Sequence, residues 1–114
     1  MHELAIAENI VAIASESARG APVKRVTLEI GQLSAILPDA IRFCFDICCQ
    51  DTPLEGATLE IIEIPGMGKC NRCATEFPLD QPFGVCPACD SLDLKIIRGE
   101  ELTIKEMEVE ELCA

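Results

Sequence analysis

Two stretches of the chain repeat apolar residues at the 3.6-residue period of an α-helix. In residues 3–19, Ile6, Ile10, Ile13 and Ser17 fall on one stripe with Leu4 and Val11 beside it, and an Arg-Gly pair supplies a stop after an alanine-rich segment. Residues 38–50 begin with proline, which is favoured at the first position of a helix, and continue with apolar residues along one side. The sequence therefore predicts two amphipathic helices.

A second pattern, alternation of apolar and polar residues, predicts strands. It is clearest in residues 23–31, where alternate positions from Val26 to Ile30 are apolar and predict one buried face. Residues 57–64 predict another strand, and 100–112 contain a third. These elements favour an α+β fold in which two helices pack on a small mixed three-stranded sheet.

The segment 65–99 differs from its surroundings because it is rich in cysteine and proline. We expect it to form a compact insertion, at the tip of a pair of strands, that resembles a zinc ribbon. The predicted domains are accordingly 1–64 plus 100–114, which form the α/β part, and 65–99, which form the four-cysteine module.

The charge of the chain is strongly acidic. Its 114 residues include 20 acids and 9 bases, which gives a net charge of −11 at pH 7. Nucleic-acid-binding proteins need a basic surface that displaces counterions, so nucleic acid is excluded as a partner. Metal cations and proteins with basic faces suit this surface better.

The sequence predicts a cytoplasmic protein with no membrane partner. No stretch approaches the ~18 consecutive apolar residues of a membrane span. The N-terminus also lacks the basic start of a signal peptide, and Glu3, Glu8 and Glu16 interrupt its apolar pattern. In the reducing cytoplasm, the eight cysteines are expected to be metal ligands or free thiols rather than disulfides.

Four of these cysteines have the spacing of a metal site. Cys70, Cys73, Cys86 and Cys89 form the pattern C-x2-C-x12-C-x2-C. Two residues between thiolates allow each pair to wrap one side of a tetrahedral ion, and four thiolates leave no open position for catalysis. The spacing predicts one structural Zn(II), without which so small a module could not bury enough surface to fold.

Two other functions share this cysteine pattern. A nucleic-acid-binding ribbon is disfavoured because residues 69–90 contain only Lys69 and Arg72 against three acids. A rubredoxin-like iron centre for electron transfer fits the spacing, but Ala74 and Asp90 stand where rubredoxins usually have glycine. We therefore favour zinc over iron.

The opening residues "MHE" offer a second, different set of metal donors. His2 is the only histidine of the chain, and methionine before a bulky residue is normally retained. The terminal amine, an imidazole and intervening backbone amides then lie close together, with the Glu3 carboxylate beside them. Ni(II) and Cu(II) prefer such flat, nitrogen-rich coordination. A lone terminal histidine is, however, more often simply solvated.

The whole pattern resembles the HypA/HybF family, the nickel-insertion proteins of [NiFe]-hydrogenase maturation. The resemblance rests on "MHE" at 1–3, "VTLEIGQLSA" at 26–35, "FCFDICC" at 43–49, the four-cysteine unit at 70–89 and the acidic final strand. It spans essentially the whole chain, and the order and spacing of the motifs make it specific.

This resemblance implies a metallochaperone that carries Ni(II) as cargo and holds a structural zinc at the four cysteines. His2 would be the indispensable nickel ligand, assisted by backbone nitrogens and Glu3, and Asp39 aligns with an acidic position that can lie near the nickel.

The implied partners are the GTPase HypB, the hydrogenase large subunit and, in some bacteria, urease maturation proteins. Family members occur as monomers and as dimers, so a homodimer stays open. Some relatives have histidines where this chain has Ala74 and Asp90, so histidine-linked coupling of the two sites is in doubt.

The remaining cysteines have a simpler interpretation. Cys44, Cys48 and Cys49 are expected to be small buried apolar residues of the second helix, although a soft-metal or redox role is an alternative; Cys113 is expected to be incidental. The chain has no phosphate-binding loop and no Ser/His/Asp grouping, so we do not expect an enzyme. The alternative to a nickel chaperone is a zinc-stabilised interaction scaffold in which His2 has no metal role.

Overall fold

The structure, a computed structural model, describes residues 2–110, and for His2 only its backbone. In chain order the elements are α1 (His2–Ser17), β1 (Val23–Gly31), α2 (Pro38–Cys49), β2 (Thr58–Ile64), β3 (Gly66–Cys70), β4 (Glu76–Leu79), β5 (Leu94–Arg98) and β6 (Leu102–Val109). The helices and strands agree with the predicted ones within about two residues at most ends, and β6 lies inside the predicted 100–112.

The strands form two three-stranded sheets, ordered β2-β1-β6 and β4-β3-β5. The predicted α+β class with an inserted cysteine module is thus confirmed. One detail was wrong: β2 and β6, which flank the insertion in sequence, do not pair with each other, because β1 lies between them. No described helix is long and apolar enough to cross a membrane.

The chain divides into two compact units. The helical unit comprises Met1–Leu28, Ile36–Ile62 and Thr103–Ala114, and the cysteine unit comprises Glu29–Ala35 and Glu63–Leu102. The predicted domain limits stay a prediction. Residues 29–35 group with the cysteines because Gly31 N–H donates to the Glu101 carbonyl and Leu33 N–H to the Gly99 carbonyl, both at 2.7 Å.

The buried face of α1 differs from the predicted stripe. Ile13 is 52% exposed, and the buried residues of the helix are Ala7, Ile10, Val11 and Ala14. This face is built partly from alanine, whose small side chain allows the two helix backbones to approach closely where α1 packs against α2. The prediction, which relied on the large apolar side chains, therefore placed the contact face of α1 about one residue away from the observed one.

In α2, the expectation of buried apolar cysteines is confirmed for Cys44 and Cys49. Burial, with Asp46 and Cys48 nearby, raises the pKa of Cys49 to about 12. Cys48 is half-buried, and its pKa is also raised, first by burial and then by Glu8. These thiols therefore stay protonated, which disfavours thiolate chemistry.

The central strand β1 is more buried than its alternation predicted. Val26, Leu28 and Ile30 are buried as expected, but Thr27 on the opposite face is only 2% exposed, and its hydroxyl has no hydrogen-bond partner among the described residues. Because β1 pairs with β2 on one edge and with β6 on the other, its side chains have neighbours on both sides that shield them from solvent.

Gly31 provides a test of the cysteine unit's packing. A Cβ at Gly31 would overlap the backbone carbonyl of Gly99, whereas one at Gly20 meets nothing within 4 Å. We expect Gly31→Ala to lower the free energy of unfolding by about 2–3 kcal/mol. The control Gly20→Ala should lose only about 1 kcal/mol, because its φ of +81° strains alanine. Urea unfolding of the zinc-loaded variants measures both, and equal losses would contradict the overlap.

Candidate metal centre

The structure brings the four predicted cysteines together. The Sγ atoms of Cys70, Cys73, Cys86 and Cys89 all lie within 4.8 Å of one another. The closest pairs are Cys70 with Cys89 and Cys73 with Cys86, each with its Sγ atoms 3.5 Å apart. Each contact joins one pair to the other, so both C-x2-C segments face a common centre.

The two C-x2-C segments have the same backbone geometry, which we call a knuckle. In each knuckle the first cysteine donates its N–H to the carbonyl five residues later, and its own carbonyl accepts the N–H of the residue four positions later. All of these bonds measure 2.9 Å and join Cys70 to Thr75 and Ala74 in the first knuckle, and Cys86 to Ser91 and Asp90 in the second. The repeat gives the site an approximate internal symmetry.

The residue after each second cysteine has a left-handed backbone. Ala74 has φ 65° and Asp90 has φ 61°. This conformation favours glycine, which explains why glycine is usual at such positions, but alanine and aspartate adopt it here at a cost of about 1 kcal/mol each. The absence of glycine therefore does not change the turn, and it gives no reason to prefer zinc over iron.

Backbone N–H groups point at the first sulfur of each knuckle. The N–H groups of Arg72 and Cys73 lie 3.4 and 3.5 Å from Cys70 Sγ, and that of Ala88 lies 3.4 Å from Cys86 Sγ. The bond from Cys73 is the main reason why the pKa of Cys70 is lowered. Such donors stabilise a thiolate and, with it, a metal–sulfur bond.

The other two thiols are tuned in opposite directions. The Thr75 hydroxyl lies 3.1 Å from Cys73 Sγ, and this hydrogen bond is the main cause, with a bond from the Thr75 backbone, that lowers the pKa of Cys73 to about 6. A backbone bond from Ser91 favours the Cys89 thiolate, but the surrounding thiols outweigh it and raise the pKa of Cys89 to about 12. A divalent ion that binds all four sulfurs must therefore displace a proton from Cys89.

This donor set fits zinc. Four sulfurs at ~2.3 Å from a tetrahedral ion lie ~3.8 Å apart, close to the 3.5 Å of the two contacts above and inside the 4.8 Å that bounds the whole set. The four thiolates fill the coordination shell, so the ion would stabilise the fold and have no open position for a substrate.

The apolar core beside the site is small. It consists of Leu33, Phe77 and Leu79 with the two buried cysteines, Cys70 and Cys86, and is completed by partly buried Leu94 and Ile96. So few side chains cannot stabilise three short strands alone. The metal is therefore expected to supply much of the folding free energy of this unit.

The structure does not test the predicted nickel ligands. The Met1 and His2 side chains lie outside the described residues, so their role stays a prediction. Glu3 is half-buried in the first turn of α1, and Asp39 is exposed in the first turn of α2.

Sequence reasoning missed one residue that supports the cysteines, Thr75, and it named Asn71 as a turn residue without the bond that this side chain makes. Thr75 was not singled out, although a hydroxyl two residues after Cys73 could have indicated a bond to its sulfur. Asn71, inside the first knuckle, donates its side-chain amide to the Asp93 carboxylate at 2.9 Å. This bond ties the first knuckle to the chain that leaves the second, and only the folded structure reveals it.

The chain matches known proteins along most of its length. A family model described as "Hydrogenase/urease nickel incorporation, metallochaperone, hypA" matches residues 1–109. Hydrogenase maturation factor HypA of Crocosphaera subtropica is 73% identical over 113 residues, 99% of each chain. The HypA of Geobacter metallireducens is 51% identical over 110 residues, 96% of this chain and all of that protein.

Two solved structures have a similar fold. A solution structure of HypA protein aligns with a TM-score of 0.72 at 25% identity and covers 96% of each chain. The solution structure of the Ni metallochaperone HypA from Helicobacter pylori aligns with a TM-score of 0.70 at 24% identity, over 94% of this chain and 96% of that one. At such identity the second likeness shows the fold alone.

A substitution at Thr75 tests directly whether the lowered pKa of the Cys73 thiol affects zinc binding. Thr75→Val removes the hydroxyl that lowers the pKa of Cys73, so this thiol is protonated at higher pH and protons displace zinc earlier during acidification. The midpoint pH of zinc release should rise, with a zinc affinity roughly tenfold weaker at acidic pH. A chromogenic chelator measures the release. Thr75→Ser keeps the hydroxyl and should behave as the wild type; an unshifted midpoint in Thr75→Val would contradict the role.

The resemblance found in the sequence is confirmed by these comparisons. The family model extends across both units, and the relatives align from end to end. The family consists of metallochaperones, which agrees with the expectation that the protein is not an enzyme. The chain belongs to the HypA family of nickel-incorporation metallochaperones that act in hydrogenase maturation.

Proposed function

We propose that the chain captures Ni(II) at its N-terminus and delivers it to the large subunit of [NiFe]-hydrogenase. One observation carries the proposal. In a chain that matches a nickel-incorporation family over residues 1–109, the only histidine stands at position 2. The proposed ligands are the His2 imidazole, the terminal amine and nearby backbone nitrogens, with Glu3 assisting.

The helix start supports the use of backbone nitrogens. Because α1 begins at His2, the N–H groups of its first turn, including those of His2 and Glu3, have no acceptor within the helix. Ni(II) that displaces their protons therefore breaks no helical hydrogen bond. The same metal deeper in α1 would have to disrupt the helix.

Electrostatics also favours amide ligands. The N-terminus of a helix carries partial positive charge, which by itself repels a cation. Each deprotonated amide adds a negative charge, and Glu3 lies in the same turn. The net charge of −11 further raises the local concentration of cations.

Asp39 is an additional nickel candidate. Its carboxylate is exposed in the first turn of α2 and could therefore approach a metal. The same position also has an ordinary structural role, because an acid near a helix N-terminus is favourable. The proposal keeps Asp39 as a secondary ligand, which Asp39→Asn would test separately from His2.

The proposed role of the four cysteines is to hold one structural zinc. Their sulfurs form a closed tetrahedral set, and the thiol of Cys89, with its raised pKa, would be deprotonated by the ion. Zinc therefore shapes the cysteine unit, and nickel is the transferred cargo.

A groove between the two helices is a suitable docking site for the client. It is lined by Leu4, Val11 and Ala12 of α1 and by Ile47 and Cys48 of α2, with a volume of ≈ 540 Å³. Leu4 is two residues from His2, so a client segment in this groove would lie close to the nickel ligands. We propose the hydrogenase large subunit as its occupant.

Other partners belong to the same proposal. The GTPase HypB would act with this chain in nickel supply, urease maturation proteins would be further clients in some bacteria, and two copies could form a homodimer. The proposed setting is the cytoplasm, where cysteines stay reduced and available to metals.

Nickel titration of the untagged, zinc-loaded chain tests the site. We expect His2→Ala to weaken nickel binding at least about 100-fold, because an imidazole that anchors the chelate is lost. A variant with one glycine before Met1 should also lose binding, since it displaces the amine while it keeps the histidine. Isothermal titration calorimetry measures the affinity, and zinc content confirms the fold. Equal nickel uptake by all three proteins would contradict the proposal and leave a zinc-stabilised scaffold.

Delivery is tested at the groove. Ile47→Ser should slow nickel transfer to the purified large subunit about tenfold without a change in nickel affinity, because it removes an apolar wall of the groove. Phe43→Ser is the control, since Phe43 is 70% exposed on the same helix but does not line the groove. Equal transfer rates for the two variants would exclude this groove as the docking site.

A further inference from the structure

The second knuckle carries apolar side chains that neither the metal nor the core uses. Phe83, Val85 and Leu92 are 70%, 51% and 76% exposed, and we call them the ribbon patch. Single exposed apolar residues are ordinary on protein surfaces. Three within one ten-residue segment, in a unit with so small a core, require a reason.

Comparison of the two knuckles shows that the patch is not a requirement of the knuckle geometry. In the first knuckle, the bond from Cys70 to Thr75 leads into the strand pair β3–β4, where Lys69 lies opposite Glu76. Val85 and Leu92 occupy the equivalent positions of the second knuckle, on either side of the bond from Cys86 to Ser91. The same backbone thus carries opposite charges in one copy and exposed apolar residues in the other.

The charged residues of the segment that carries the patch are all acidic, and the first basic residue after it is Lys95. Residues 80–93 contain Asp80, Asp90 and Asp93 and no lysine or arginine. A second copy of this chain would place these acids opposite identical acids across a two-fold contact, which is unfavourable. A complementary surface would combine apolar side chains with basic ones.

We propose that the ribbon patch is a docking surface for a partner protein segment in which apolar side chains alternate with lysine or arginine. The apolar side chains would cover Phe83, Val85 and Leu92, and the basic groups would face the three aspartates. The contact uses no metal ligand and is separate from the nickel-binding N-terminus.

The test uses the zinc-loaded, nickel-free chain and a synthetic peptide in which leucine and phenylalanine alternate with lysine. Chemical-shift changes in a ¹⁵N NMR titration should centre on residues 83–92. Leu92→Ser and Phe83→Ser should each weaken binding about tenfold. Glu76→Ser, at the position equivalent to Leu92 in the first knuckle, is the matched control and should bind as the wild type. Zinc content verifies that each variant is folded, and the two patch variants provide independent readings.

Three outcomes would overturn the proposal. If a peptide with serine in place of leucine and phenylalanine bound equally well, net charge alone would explain the binding. If the chemical-shift changes were spread over the acidic surface and Leu92→Ser did not affect them, the patch would not be the binding surface. If sedimentation showed that the chain self-associates and that Leu92→Ser abolishes this, the occupant of the patch would be a second copy of the chain rather than a basic partner.

Discussion

The cysteine unit depends on four thiols converging on one centre. The two knuckles repeat the same backbone bonds, and their sulfurs lie within 4.8 Å of one another. Leu33, Phe77 and Leu79 give only a small core beside them, so closure around an ion is what would fix the three short strands. The donors at Cys70 and the Thr75 hydroxyl lower the pKa of Cys70 and Cys73 and prepare these sulfurs for a cation.

The two proposed metals are distinguished by ligand chemistry. The cysteine cluster offers four soft sulfurs in a closed tetrahedron, which suits zinc and leaves no exit for a cargo. The proposed N-terminal ligands are nitrogen donors, which would suit nickel and permit its release. Under this proposal, one chain would retain one metal for stability and exchange another, and its net charge of −11 would favour the approach of cations.

The elements and the cysteine cluster were predictable because each depends on local pattern: apolar periodicity, a proline at the start of α2, and the C-x2-C spacing. The errors arose where tertiary packing decided the outcome. In α1, Ala7 and Ala14 are buried and Ile13 is exposed, because close helix contact favours small residues. The bond from Gly31 to Glu101, which holds residues 29–35 beside the cysteine unit, was not predicted, because no local pattern encodes it. Thr75 acts on Cys73 through a contact that depends on the exact turn.

X-ray absorption at both metal edges, on untagged chain loaded with zinc and then nickel, tests the separation of the two sites most directly. The zinc edge should show four sulfurs at ~2.3 Å. The nickel edge should show nitrogen and oxygen neighbours, including imidazole, and no sulfur. Sulfur in the nickel shell would place the cargo at the cysteines and contradict the account.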